Sequence, residues 1–577
     1  GFMESQGNYK TFLRLIDDLG FKEILSKTGS KTLFVANDAA FEKFFHSNPW
    51  GVSSYGELTE AQRKILLNAA MLDNPYSETM LSTAEGPVRG EVCRRSTALS
   101  LYDTVQVVNI FDPEIPAESE WNKHWSTLRA NQKPHASWMN PGDIVLFKDA
   151  SGSNPMIHFT PKFLVSNKIQ ASDVNFLYNH ETSYQGKEIR VGNAKVTNSQ
   201  FCKNGFVHEV DQVILPLDNL AEVIRKHKDA STYSSILERF AAPYYDADLT
   251  TRYNQVKFGD SIDKYVDSVF VKRYFSKRSA GYTYDSRNGR KEFNADKDGS
   301  GVGGDGTGFL KFDPGWNTFV SEIFNDRAPM MEDMAVMIVP TDKAFENFWT
   351  NHETGKTLMR YFGSLDNMPN ETLVDLVNVN MLNSLIGSVP TRFNTIVDDA
   401  NEILGSDKTT GKKSIEVSDI DSVLFACNGL VYLSNQVFVP KSYMSVAFPL
   451  VLDNNLNILN SVVKQMTYEA YLTSMVSTYS FFLPTNEAML TYIDPVTYGQ
   501  SDGKHQLWEF YLKEKDSDGK NVPNPLYARI YSGTLNADGT FTKKNPDKPD
   551  YDSYLRDYNK DKKEQAKIGR ASCRERV

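Results

Sequence analysis

Cysteine is scarce in this chain: four residues in 577, at Cys93, Cys202, Cys427 and Cys573. So few, so scattered, exclude a disulfide framework and any CxxC metal or redox site. A single Cys93–Cys202 bridge is open to the chain, but buried free thiols are the better expectation, because free cysteine packs as a small hydrophobe. Long apolar runs are missing too. No stretch approaches 18 apolar residues, which excludes a transmembrane helix. The opening Gly1-Phe2-Met3-Glu4 lacks the basic-then-apolar pattern of a signal peptide. Positive charge is in deficit, with 63 Lys and Arg against 73 Asp and Glu and a net charge of −10. That balance argues against nucleic acid or an anionic membrane as the main partner. Catalytic signatures are absent as well, with no HExxH, no HxH and no Ser/His/Asp pattern.

What is present suffices for real cores. Hydrophobic residues make up 40% and aromatics 12%, and the length suggests three or four domains. The ending Ile568–Val577 is basic, unlike the acidic, Tyr- and Asp-rich sequence before it. It resembles a translated adapter tail and is set aside as non-native, which moves the charge to −12 (three Arg and one Glu removed). The biological C-terminus is then expected to be missing.

One stretch recurs. Thr32-Leu-Phe-Val-Ala-Asn-Asp-Ala-Ala-Phe41 is repeated as Val336-Met-Ile-Val-Pro-Thr-Asp-Lys-Ala-Phe345, and more loosely as Ser480-Phe-Phe-Leu-Pro-Thr-Asn-Glu-Ala-Met489. Each copy reads as an apolar strand, a turn and the first turn of a helix. Val339-Pro340 and Leu483-Pro484 end their strands, since the residue before proline is held extended. Asn37, Thr341 and Thr485 stand where an N-cap oxygen takes up a free helix N–H. Asp38, Asp342 and Glu487 place negative charge at the positive end of the helix dipole. Three copies at long spacing predict a repeated domain.

A second landmark recurs downstream. Asn204-Gly-Phe-Val-His-Glu-Val-Asp-Gln-Val-Ile-Leu-Pro216 shares six of thirteen positions with Asn428-Gly-Leu-Val-Tyr-Leu-Ser-Asn-Gln-Val-Phe-Val-Pro440. Asn-Gly before alternating apolar residues predicts a hairpin with a type I′ turn, and the closing proline stops the last strand. Apolar spacing through Phe12, Leu13, Ile16, Leu19 and Phe21 predicts an opening helix. Leu217–Phe240 and Leu450–Ala470 take the same role for the later repeats. Thr59 with Gln62 forms a capping box.

Together the two landmarks resemble the fasciclin (FAS1) domain, and the linking segments are similar to fasciclin-like surface proteins of gut Bacteroidetes. The resemblance implies an α+β fold of tandem domains, each a small twisted β-sandwich or wedge with packed helices. From landmark to landmark the second repeat spans 92 positions and the first 172, so the first carries a large insertion near 84–157. The second carries its own insertion near 242–315. The expected domains are 1–216, 217–443 and an incomplete third at 444–567, followed by the tail at 568–577. Animal members of the family carry a Tyr-His adhesion signal between the landmarks. Leu66–Leu72 and Leu376–Leu382 lack it, and Arg-Gly-Asp occurs nowhere, so integrin-style recognition does not carry over. Asn288-Gly289-Arg290 reads as a turn.

Three groups could carry chemistry. His208 and Asp211 lie an odd number apart on a strand, face opposite sides and make a poor proton-relay pair; a histidine bonded to nearby backbone is expected. Asn294, Asp296, Asp298, Gly299, Ser300 and Asp305 match much of a twelve-residue Ca²⁺ loop, with Asn at its first position and Asp in place of Glu at its twelfth. A flexible surface loop is the competing interpretation. Trp121, Trp125 and Trp138, with His124 and His135, form an aromatic patch that stacks on sugar rings if exposed and fills the insertion's core if buried. Burial is the expectation.

No catalytic constellation emerges and no cofactor beyond the candidate Ca²⁺ is implied. The family resemblance implies a non-enzymatic cell-surface adhesion or interaction protein. It would bind an extracellular protein or polysaccharide through its loops and insertions, with lipid anchoring at an outer membrane. A glycan-binding accessory protein working beside outer-membrane glycan-uptake proteins is the alternative, and a carbohydrate-active hydrolase a more distant one.

Overall fold

After Lys31 and Thr32 every side chain to Ala36 is apolar, the pattern of a strand covered on both faces. In the computed structural model this is β1 (Lys31–Ala36), with Leu33 to Ala36 buried. The structure describes all residues but 1, 28–29, 85–89, 101, 103–104, 111–133, 149–153, 275, 277–283, 286–289, 295–300, 304–309, 320–329, 400, 408–409, 467, 474–477, 514–525 and 556–577. The chain continues through β2 (Met71–Leu72), β3 (Arg94–Ser96), β4 (Gln106–Asn109), β5 (Asp143–Phe147), β6 (Pro155–Phe159), β7 (Arg190–Val191), β8 (Ala194–Cys202) and β9 (Gly205–Val210). Next come β10 (Ala241–Tyr245), β11 (Val269–Tyr274), β12 (Tyr284–Asp285), β13 (Arg290–Asn294) and β14 (Gly301–Gly303). The second repeat holds β15 (Ala335–Pro340), β16 (Met381–Leu382), β17 (Ile420–Ala426) and β18 (Gly429–Ser434). Last are β19 (Tyr492–Ile493), β20 (His505–Leu512), β21 (Leu526–Leu535), β22 (Phe541–Lys543) and β23 (Tyr551–Tyr554). Helices interleave with these small sheets, and the fold is α+β.

The two landmarks build the same sheet twice. β1 lies between antiparallel β2 and parallel β9, and β15 lies between β16 and β18 in the same senses. The registers correspond: Lys31 faces Gly205 and Ala36 faces Val210, while Ala335 faces Gly429 and Pro340 faces Ser434. β8 flanks β9 as β17 flanks β18, and each pair slips once at the same place, between Val196 and Asn198 and between Ile420 and Ser422. The first sheet runs on through β7, β6 and β3, whereas among the described residues the second ends at β17.

The hairpins form, but not through the expected turn. Cys202 pairs with Gly205 and Ala426 with Gly429, so the turn residues are Lys203-Asn204 and Cys427-Asn428. Neither pair is among the positive-φ residues, which a type I′ turn would require. The Asn and the Gly serve separate ends instead. Asn204 donates its side-chain N–H to the Leu25 carbonyl, 2.6 Å away. Asn428 donates to Pro314 and Trp316 and accepts from the Leu220 N–H. A Cβ on Gly205 would lie 1.9 Å from the Lys31 carbonyl oxygen, and one on Gly429 2.4 Å from that of Ala335. Glycine is there because the parallel strand approaches too closely for any side chain.

The acid of the first landmark also does more than meet its own helix dipole. Asn37 caps the helix Asp38–His46 and Thr341 caps Asp342–Asn351, as expected. The Asp38 carboxylate, however, accepts from the amides of Lys10 and Thr11, at the start of helix Lys10–Asp18. Asp342 accepts in the same way from Ser231 and Thr232, at the start of helix Ser231–Glu238. Each landmark thus pins the opening helix of its repeat by satisfying N–H groups that a helix start leaves free.

The third copy keeps this pin and loses the strand. Asn486, at the position of Asp38 and Asp342, donates its amide N–H to Asn455 and accepts from the Ile458 N–H in helix Asn457–Gln465. Ser480–Pro484 was expected to be a strand and is not one. Phe482 is 88% exposed where its counterparts Phe34 and Ile338 are buried. The physical cause is the absence of partners: β1 and β15 each have a neighbour on both sides. Among the described residues nothing pairs with Ser480–Pro484, and the chain turns into the antiparallel sheet of β19 to β23.

The stretches set apart as insertions meet. β4 and β5 join β10 and β11 in one four-stranded sheet, in which β5 and β11 run parallel with Val145 facing Val269. Beyond this shared sheet, one hydrophobic core runs from Ile157, Phe159 and Phe176 of the first repeat through Val336 to Tyr432 of the second. Along the seam, Phe176 packs edge-on against Phe393 and Tyr432, and Phe425 packs against Phe159 and Tyr178. Asp173 accepts from the Thr391 amide and hydroxyl. The Asn179 side chain donates to the Val423 carbonyl at 2.9 Å and accepts from the Val423 N–H at 2.6 Å.

Candidate binding surfaces

His208 sits in β9 with 1% exposure. Its Nε2 lies 2.8 Å from the Tyr76 carbonyl and its Nδ1 2.7 Å from the Ser199 hydroxyl. Burial holds its pKa below the ordinary imidazole value. Asp211 does not approach it and accepts from the Lys195 amide. Tyr432 stands at the same place in β18 and donates its hydroxyl to the Ser388 carbonyl. Both side chains tie the closing strand to the loop after the short antiparallel strand, so this is a structural position filled by two different residues.

A cleft of about 650 Å³ opens between Lys43 and Phe44 of the first landmark helix, Asn154 to Ile157, and the linker Asp211–Asp218. That size suits a small ligand. Its two carboxylates are already engaged: Asp211 by the Lys195 amide, and Asp218 by Lys226 at 2.6 Å with Lys148 at 3.7 Å. Deeper lies a buried ion network. Glu222 pairs with Lys148 at 2.7 Å and Arg225 at 2.5 Å, and Glu238 pairs with Lys272 and the Tyr274 hydroxyl, both at 2.6 Å. Burial alone would raise the Glu222 pKa, but the Arg225 hydrogen bond, Lys272 and Lys148 hold it well below the carboxylate range. These carboxylates join the insertions to the second opening helix, and each is largely buried and held in an ion pair.

Of the aromatic patch, Trp121, Trp125 and His124 lie outside the described residues. Trp138 departs from the expectation of burial, with 43% exposure. It is nevertheless held in place: its indole N–H donates to the Lys264 carbonyl at 2.8 Å and its ring packs on Phe258. His135 is buried beside Asp267, at 2.8 Å. Of the candidate Ca²⁺ loop, the Asn294 backbone pairs with Gly301 across the β13–β14 hairpin. Asp296, Asp298, Gly299, Ser300 and Asp305 lie outside the described residues. Among the described residues no cluster of His, Cys, Asp and Glu is arranged to hold a metal.

Cys93, Cys202 and Cys427 are free thiols, Cys93 and Cys427 buried and Cys202 half-buried. Cys93 belongs to the core shared by the repeats and Cys202 packs against the separate core of the first, and the Cys93 N–H and thiol both meet the Met331 carbonyl. Among the described residues no helix is long and apolar enough to cross a membrane.

No family model and no curated protein matches this chain. Among solved structures it is similar to the FAS1 domain pair of the insect cell-adhesion molecule fasciclin I, at 8% identity, covering 76% of this chain and 99% of that one, with a TM-score of 0.20. The two landmarks, whose residues resemble those of that domain, build the same sheet twice in one register.

Proposed function

We propose that this is a non-enzymatic interaction protein of the cell surface, which binds an extracellular protein or polysaccharide through its insertions. The observation that carries this proposal is the shared sheet of β4, β5, β10 and β11. Strands from both insertions join in one sheet between the repeats, while the buried carboxylates are consumed in ion pairs. A pull-down from intact outer membranes tests partner and location together. Recovery of one saturable partner, lost when the sheet is disrupted by Val145→Asp, is the expected result. Recovery that survives loss of the sheet would overturn the proposal.

Trp138 favours a glycan as the ligand, as in an accessory protein beside an outer-membrane uptake system. An exposed indole, fixed by a hydrogen bond and a ring contact, offers a face for sugar stacking at little ordering cost. A polysaccharide array probed with the wild type and Trp138→Ala decides this: binding that is indifferent to the substitution removes the glycan reading. Ca²⁺ at Asn294, Asp296, Asp298, Ser300 and Asp305 remains a proposal of its own. Titration calorimetry should show calcium heat in the wild type and none in Asp298→Ala.

A further inference from the structure

The repeat allows one edge of the fold to be seen in two situations. In the second repeat the outer edge of β17 is covered by the first: Val423 donates its N–H to the Asn179 side chain and accepts from it at its C=O, and Phe425 is held by the rings of Phe159 and Tyr178. Register places Ser199 of β8 at the position of Val423 and Phe201 at that of Phe425. On that side of β8 the only strand pairing among the described residues is with β7, at Ala194 and Lys195. Phe201 is 68% exposed, with the Phe206 ring beside it at 5.2 Å and its carbonyl accepting from the Gln200 side-chain N–H at 2.8 Å.

An open edge of this kind is usually blunted by charge or proline. Val196-Thr-Asn-Ser-Gln-Phe-Cys202 contains neither, and its bulge ends at Asn198, leaving Ser199 to Cys202 in regular register. We infer that this edge is a self-association surface, to which a second copy of the chain adds its own β8 antiparallel about a two-fold axis at Gln200. Ser199 of one copy then faces Phe201 of the other, so the edge N–H and C=O groups that Asn179 satisfies in the second repeat are satisfied here by backbone. Each Phe201 gains the ring contact that Phe425 already has. The uncharged run opposes no like charges across the axis, and a two-fold makes the patch complementary to itself.

Sedimentation of the full chain over a wide concentration series is the test. The expected result is a monomer–dimer equilibrium whose dissociation constant rises about tenfold or more in Phe201→Glu, with an unchanged thermal melt showing that the fold is intact. Gln200→Cys in a Cys202→Ser background should cross-link the dimer on oxidation, whereas Lys228→Cys in the same background should not. A wild type that stays monomeric throughout overturns the inference, and so does a dimer indifferent to Phe201→Glu.

Discussion

The outer edges of β17 and β8 are the same piece of the fold with different neighbours. Around β17 the first repeat supplies Asn179 to bond the Val423 backbone and two rings to cover Phe425. Around β8 the corresponding Phe201 stands in water. The difference teaches that the landmarks specify a sheet and its register, while burial of the edge is decided by what the neighbouring repeat brings to it. The first repeat brings an additional helix pair, Pro161–Ser166 and Ala171–Leu177, whose Phe176, Tyr178 and Asn179 form the seam. The aromatic at Phe425 and Phe201 is therefore an edge anchor, not a residue of the sheet's own core.

The comparison breaks most visibly if the seam is emptied. Phe176 is 5% exposed and touches Phe393 and Tyr432 across the repeats. Phe176→Ala should cost about 3–5 kcal/mol, as a large buried ring does, read as a fall in denaturation midpoint. If the two repeats were independent bodies the loss would be far smaller. Next in size are the glycines at the parallel strand approach. Gly205→Ala and Gly429→Ala should each cost about 1–3 kcal/mol, because a backbone carbonyl must move to admit the methyl. Equal stability of variant and wild type would refute that close approach. The edge contrast itself comes third: Phe425→Ala should cost about 2 kcal/mol, and Phe201→Ala no more than about 0.5 kcal/mol in dilute solution. Equal losses at the two positions would erase the difference between the edges.

Much of this was legible in the sequence for a physical reason: caps and apolar strands are local, although β9 and β18 end at Val210 and Ser434, short of the closing prolines Pro216 and Pro440 expected to stop them. Thr32–Phe41 and Asn204–Pro216, with their copies Val336–Phe345 and Asn428–Pro440, predicted the central strands and the hairpins of both repeats, and Asn37, Thr341 and Thr59 cap where expected. What escaped was long-range. Nothing in Asp143–Phe147 says that it will pair with Val269–Tyr274, more than a hundred residues away. The Asp38 carboxylate looked like a first-turn charge because its partners, Lys10 and Thr11, precede it by two helices and a strand. Ser480–Pro484 carried the strand signal but not the neighbours that a strand needs. Among the candidate site residues, His208 was legible as a backbone-bonded histidine. The exposure of Trp138 was not, because burial of a lone aromatic depends on what packs beside it.

The smallest expected effect concerns the pins that the three copies share. Burial raises the pKa values of Asp38 and Asp342, but the amides of Thr11 and Lys10, and the Thr232 and Ser231 donors, outweigh it and leave both below the usual carboxylate value. A depressed native pKa means that the unfolded chain binds more protons near that pH. The stability these groups contribute is therefore full above about pH 4 and lost as pH falls through their native pKa values. Each pin should be worth about 1 kcal/mol, the scale of a helix cap. The third copy supplies the control, since Asn486 makes one such bond with no charge to titrate. Asp38→Asn with Asp342→Asn should keep most of the neutral-pH stability and flatten the fall in melting temperature between pH 5 and 3 (about the carboxylate range). An unchanged acid slope in that double variant would mean that the pins hold their helices by geometry alone and that other carboxylates set the acid limit.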